Sequence, residues 1–219
     1  MRACAWVLAV TVIISSTVSA QESGRSSVVC EDPPPLSEAG LRFAWEEEPE
    51  NSPFREGSWV GMTYAAMVLG TFKDDAQIFG GYAGLGYHYR SNASISVILG
   101  ANFGDKNINR DTGVNQGDFF GGSIQLLARN HLINYGSWSA FVEAGLGFSV
   151  LSDPVPADGT TYNFMLTAGA GITKQLDECT HLILGCRWHH LSNGSFFNPA
   201  NLNPGYDGKM IYAGLLFSY

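Results

Sequence analysis

The chain has 219 residues with 26 Gly, 13 Phe and 9 Tyr, is only 15% charged, and has a mean hydropathy of +0.02. That length allows one domain with a short appendage, and a net charge of −8 removes the clustered Lys and Arg on which nucleic-acid binding depends. Soluble globular domains carry about a quarter charged residues and about 7% glycine, so this composition leans away from them and towards β structure.

Met1 to Ala20 reads as a secretory signal peptide. Arg2 gives the positive end, Ala5 to Ile14 the apolar stretch, and Val18-Ser19-Ala20 a small-residue cleavage site before Gln21. The apolar stretch is too short to span a bilayer comfortably, and no later segment reaches eighteen uninterrupted apolar residues. Export places the remaining cysteines, Cys30, Cys179 and Cys186, in an oxidising compartment. Their spacing fits no zinc pattern, so neither a metal nor a cofactor is expected.

Residues 21–56 hold the densest acidic and proline runs, in Glu31-Asp32-Pro33-Pro34-Pro35 and Glu46-Glu47-Glu48-Pro49-Glu50, and read as an exposed, partly ordered segment. From 57 to 219 the pattern changes to period two. Val60, Met62, Tyr64, Ala66 and Val68 share one face of a first strand, and Phe79, Ala83, Leu85, Tyr87 and Tyr89 one face of a second. Further apolar rows run from Ala93 to Phe103, Phe120 to Ala128, Trp138 to Phe148, Tyr162 to Ile172, Leu182 to Trp188 and Ile211 to Tyr219. Eight strands of about ten residues, each with one apolar face and one polar or glycine face, predict an eight-stranded antiparallel transmembrane β-barrel of the bacterial outer-membrane type. On this pattern the glycines face a narrow lumen.

Connection lengths agree with that fold. Those near Arg90-Ser91-Asn92, His131 to Gly136 and Leu176 to Thr180 are short, whereas 104–117, 151–160 and 193–208 are longer and more polar. Outer-membrane barrels keep short turns in the periplasm and longer loops outside. The end of the chain, Tyr212 to Tyr219, resembles the terminal recognition strand of such proteins, with Tyr219 last, Phe217 two residues back and Gly214 five back.

One region departs from this grammar: Arg187-Trp188-His189-His190-Leu191-Ser192-Asn193-Gly194, followed by Asn203-Pro204-Gly205-Tyr206-Asp207. By parity the lipid-facing row Leu182, Leu184, Cys186, Trp188 continues through His190 to Ser192, while His189 and Arg187 point into the lumen. A His and a Ser two apart on a strand lie side by side, which suits an imidazole taking a serine proton. The same two residues read equally as interfacial polar groups ending a lipid-facing strand. Glu143 falls on a luminal row and is expected to pair with Arg187.

The H-x-S-N-G and N-P-G-x-D segments, on the last hairpin of an exported eight-stranded chain, resemble the PagL-type lipid A 3-O-deacylases, a branch of the acyloxyacyl hydrolases. The resemblance implies a serine esterase with His190 as base and Ser192 as nucleophile, and backbone amides around Asn193 and Gly194 as the oxyanion hole. The acid of the family's triad follows the serine by about a dozen residues, which falls at Pro204 here. Asp207 is the nearest carboxylate, in a loop expected to fold back over the histidine, and between Gly205 and Gly208 it reads equally as a turn residue. The implied partners are lipid A, or whole lipopolysaccharide, in the outer leaflet and the surrounding outer-membrane lipid, with a homodimer left open. Two alternatives stand beside this reading: a non-catalytic adhesin or structural barrel, and a lipid A acyltransferase. Cys179 and Cys30 both fall on the short-turn side, and Cys186 lies about 23 Å further along the strand. A Cys30–Cys179 bridge or none is therefore expected.

Overall fold

The computed structural model describes residues 41–43, 52–70, 76–105, 117–155, 159–194 and 205–219; the expected leader at 1–20, Cys30 and most of the acidic segment lie outside them. Among the described residues there are nine strands and no helix. They are β1 Leu41–Phe43, β2 Trp59–Gly70, β3 Gln77–Arg90, β4 Ala93–Asp105, β5 Asp118–Tyr135, β6 Trp138–Leu151, β7 Tyr162–Gln175, β8 Thr180–Ser192 and β9 Tyr206–Ser218. Strands β2 to β9 each pair antiparallel with the next, and β2 pairs with β9 from Val60↔Ser218 to Gly70↔Gly208. The sheet is thus a closed eight-stranded barrel in which every strand has a neighbour on both sides, as a wall in hydrocarbon requires. β1 adds three residues to the end of β5, pairing Leu41↔Tyr135 to Phe43↔Ile133.

The period-two rows sort into an outer and an inner face. Leu85, Leu99, Ile124, Leu146, Leu166 and Leu184 form part of an exposed apolar belt. Exposed aromatics bound it at both ends: Trp59, Tyr87, Tyr135, Trp138 and Tyr219 at the short-turn end, and Phe120, Tyr162, Phe164 and Trp188 at the long-loop end. This is the double girdle of an outer-membrane barrel. Strand β2 differs from the other seven. Its strongly apolar row, Val60, Met62, Tyr64, Ala66 and Val68, faces the lumen, and the outer row is Trp59, Gly61, Thr63, Ala65, Met67 and Leu69. Both rows of this strand are apolar, so contrast between faces could not orient it. Its interior role decides, because Tyr64 is a partner of a buried arginine.

The lumen is a packed interior. Tyr64 stacks on Tyr82 at 4.8 Å between ring centroids and lies tilted against Tyr212 at 5.1 Å. Several inward glycines exist to admit these rings. A Cβ at Gly80 would lie 2.6 Å from the Tyr82 ring, and one at Gly185 would enter the Tyr212 ring. Gly61, Gly81 and Gly122 are exceptions that lie on outward rows. At the centre, Arg129 donates to Glu143 Oε2 from Nε and Nη2 (3.1 and 2.9 Å). Arg187 Nε and the Tyr212 hydroxyl both donate to Glu143 Oε1, and Arg187 Nη1 donates to the Tyr64 hydroxyl at 3.1 Å. The expected Glu143–Arg187 pair is therefore present, with Arg129 as a second cation and the Arg187 guanidinium 4.3 Å above the Tyr212 ring.

Ser52 to Ser58 close the short-turn end. Phe54 is buried there, stacked on His131 at 3.8 Å and tilted against His88 and His181. Its carbonyl accepts from the Asn92 amide at 2.7 Å. Cys179, in the β7–β8 turn, is disulfide-bonded, and its partner lies outside the described residues, as does the expected partner Cys30. Cys186 is free and exposed on the outer wall.

Glu143 is the one carboxylate shared by two guanidiniums inside a closed wall, and removing one partner of a buried ionic group is far more damaging than its net worth suggests. Glu143→Gln should lower barrel stability by about 3 kcal/mol. Urea titration in phospholipid vesicles, followed by loss of the compact band on unheated gels, measures this. An unchanged midpoint would show that the interior charge is not a determinant of the fold.

Candidate active site on the lipid-facing wall

Parity carries the outward row of β8 through Trp188, His190 and Ser192, and alternate residues Arg187, His189 and Leu191 are buried in the lumen. Ser192 is the last residue of β8, at the long-loop end, and is matched on β7 by Phe164, as His190 is by Leu166. On the other side, β9 runs antiparallel with His190↔Asp207 and Leu191↔Tyr206. The two registers put Ser192, His190 and Asp207 on one outward patch.

Asp207 does not reach the histidine as a loop residue folding back, contrary to the sequence expectation. It is the second residue of β9 and sits directly across the strand from His190. The turn-like run Pro204-Gly205-Tyr206-Asp207-Gly208 hides a strand start that is fixed by packing. Tyr206 is fully buried, with its hydroxyl donating to the Ala76 carbonyl at 2.9 Å. Once Tyr206 points inward, Asp207 must point outward.

His190 Nδ1 lies 2.9 Å from Asp207 Oδ1. A carboxylate only accepts, so Nδ1 carries the proton in this pair and Nε2 presents its lone pair on the opposite edge of the ring. The same carboxylate oxygen accepts a second bond from the Trp188 indole, Nε1 to Oδ1 at 2.9 Å. The Trp188 and His190 rings stack at 5.5 Å between centroids with a 23° interplanar angle. Trp188 thus holds the acid and one face of the imidazole together. In the sequence Trp188 stands only as a member of the lipid-facing row, and its spacing of two from His190 is the available signal.

A further constraint comes from Gly205. A Cβ there would fall 2.9 Å from His190 Cε1 and 3.6 Å from Nε2. The absence of a side chain at this point leaves the Nε2 edge of the ring its space. Among the described residues no hydrogen bond joins Ser192 to His190. Their Cα atoms are about 7 Å apart along the strand, a separation that side-chain rotation spans. Catalytic hydrogen bonds are often long in an empty site and tighten with substrate. Asn193 is buried, and Gly194 has φ of 60°, the left-handed region that favours glycine where the chain leaves the strand. Ser195 to Pro204 lie outside the described residues.

The arrangement has the parts of an acyl-transfer site: a hydroxyl, an imidazole with an oriented tautomer, and a carboxylate, on a surface that meets acyl chains. Among the described residues no cluster of His, Cys, Asp and Glu could hold a metal ion.

Comparison with known proteins bears on the family and the fold. The family described as "Lipid A 3-O-deacylase (PagL)" matches residues 38–215, a span that includes His190, Ser192 and Asp207. No curated protein matches the chain in sequence. Among solved structures, the outer membrane protein OprG from Pseudomonas aeruginosa is similar with a TM-score of 0.52 and 11% identity, over 75% of this chain and 97% of its own. Neisserial surface protein A has a TM-score of 0.51 and 14% identity, over 73% of this chain and 95% of its own. The outer membrane enzyme PagL has a TM-score of 0.51 and 17% identity, over 70% and 97%. At these identities the three structures speak to the fold alone.

Adding a methyl group at Gly205 should drive the His190 ring away from Asp207 while the barrel still forms. Displacement of about 1 Å at such a pair is enough to cost about a hundredfold in reactivity. A crystal structure of Gly205→Ala, or the imidazole nitrogen shifts of His190, reads the displacement. Gly81→Ala is the control, because a Cβ there meets nothing within 4 Å.

Proposed function

The chain belongs to the lipid A 3-O-deacylase (PagL) family of outer-membrane barrel enzymes, and on that premise we propose that it removes an acyl chain from lipid A with Ser192, His190 and Asp207 as its triad. The observation that carries the reading is the His190–Asp207 bond on the lipid-facing row, with Ser192 next along that row.

The chemistry follows from the tautomer. With Nδ1–H donated to Asp207, His190 Nε2 takes the Ser192 hydroxyl proton as Oγ attacks the ester carbonyl. Asp207 keeps the ring oriented and stabilises the imidazolium that forms. Negative charge then develops on the carbonyl oxygen, and the backbone amides around Asn193 and Gly194 are assigned to receive it. On collapse the imidazolium returns its proton to the sugar oxygen, leaving an acyl-Ser192. Water, activated by the same histidine, then cleaves this ester and releases a free fatty acid.

The position on the wall explains why a lipid is the substrate. Outward groups between Trp188 and the external loops meet the acyl chains and glycolipid headgroups of the outer leaflet, so the membrane itself supplies proximity and excludes bulk water. Residues 1–20 act in this reading as the export leader. The 3-position is the ester favoured by the family description.

Lipid A isolated from cells carrying the wild-type chain should have lost one hydroxyacyl group by mass spectrometry, with the free fatty acid recovered in the lipid extract. Ser192→Ala should restore the full mass. Asp207→Asn should lower kcat by at least about a hundredfold, because it removes the group that fixes the histidine tautomer. Full activity in Ser192→Ala with a folded barrel would sink the assignment. Recovery of the acyl group on another lipid would instead make the protein an acyltransferase.

A further inference from the structure

Charged side chains are nearly absent from the outer wall. Among the described residues of the barrel strands, Arg90 ends β3, Asp105 ends β4 and Asp118 opens β5, all at the rims. Lys174 lies one residue from the short-turn end of β7, with its ammonium 5.1 Å from the Trp138 ring centroid. Besides the triad's Asp207, one outward charge remains, and it sits deeper in the wall. Lys209 is the fourth residue of β9, exposed, across from Trp188 on β8 and Leu69 on β2.

Nothing among the described residues pairs with Lys209. The carboxylate two positions along its row, Asp207, bonds to His190 and Trp188. An ammonium facing hydrocarbon is costly, and a lysine relieves that cost by laying its stem along the apolar wall and sending its charge to the headgroup level. On β9 the headgroup level lies towards Asp207, whose Cα is about 7 Å away along the strand. The ammonium is thereby delivered beside the reacting groups, at the place where a lipid headgroup must lie for its ester to reach Ser192.

From this placement we infer that Lys209 is the anchor for a phosphate on the sugar headgroup of the lipid substrate, and so selects phosphorylated glycolipid over its neutral counterpart. The inference rests on the deacylase reading above. Lipid A is a phosphorylated, acylated glycolipid, and its phosphate is the strongest anion in that headgroup. A lysine bonded to phosphate gains a charge-assisted hydrogen bond and loses the penalty of an unpaired cation. Since the contact lies on the headgroup and away from the reacting carbonyl, it acts on binding, and its removal raises KM while leaving kcat.

The test uses the full-length protein in mixed detergent micelles with two substrates, bisphosphorylated lipid A and the same lipid after complete dephosphorylation. Lys209→Met keeps the apolar stem and should raise KM for the phosphorylated lipid about tenfold, with kcat within about twofold of wild type. Lys209→Arg should restore KM. On the dephosphorylated lipid, wild type and Lys209→Met should have the same KM. An equal rise on both substrates would assign Lys209 to packing, and no rise on either would remove it from recognition; both overturn the inference. Failure of the wild type to release fatty acid from either lipid would remove the deacylase reading and the inference with it.

Discussion

The antiparallel register between β8 and β9 is the constraint on which the site depends. It pairs His190 with Asp207 and, one step further, Leu191 with Tyr206. Because side chains alternate, a slip of one residue would send Asp207 into the lumen and leave the imidazole facing lipid without a partner. The barrel pins this register from inside. Tyr206 is buried with its hydroxyl on the Ala76 carbonyl, and further down the same two strands Tyr212 and Arg187 meet on Glu143. Closure through β2 and β9 removes the last freedom, since β9 is held on both sides.

The interior therefore acts on the exterior through parity. The rings of Tyr64, Tyr82 and Tyr212 fill a lumen that eight strands leave barely wide enough for side chains, and inward glycines supply the room. Two guanidiniums share one carboxylate at the centre, with tyrosine rings against one of them. A near-zero mean hydropathy is what such a molecule must have. An apolar belt outside is averaged with the tyrosines, glycines, hydroxyls and few buried charges inside, and the average conceals how far strand parity sorts the two faces.

Eight strands, their order of long and short connections, and the outward placement of His190 and Ser192 were all legible in the sequence, because period two and connection length are local properties. The orientation of β2 was not, since both of its rows are apolar and only the distant Arg187 tells them apart. Asp207 was legible as a carboxylate of the right neighbourhood but not as a strand residue. Pro204-Gly205 before it and Gly208 after it carry turn chemistry, and the strand begins there only because β8 and β2 flank it. Trp188 and Gly205 were present as letters of a pattern. Their roles, a shared carboxylate oxygen and a space beside the imidazole, are tertiary facts that no spacing rule contains.

Depth in the membrane ties these features to the proposed chemistry. Placing charge on an outer wall costs about 2–4 kcal/mol for a cation at the bilayer midplane and about 0–1 kcal/mol near the interface. Asp207 and Ser192 stand at the ends of their strands, where that cost is small. The same level is where an ester linking an acyl chain to a sugar must lie, with the chain below and the headgroup above. In the proposed reaction it is also the deepest level at which water is available to hydrolyse an acyl-serine, whereas a triad placed lower would meet only methylene groups and one placed higher would lose the chains that hold the substrate. The energetic limit on charge in hydrocarbon and the position of the scissile bond thus select the same height on the wall. Strand length measured from the short-turn girdle sets that height.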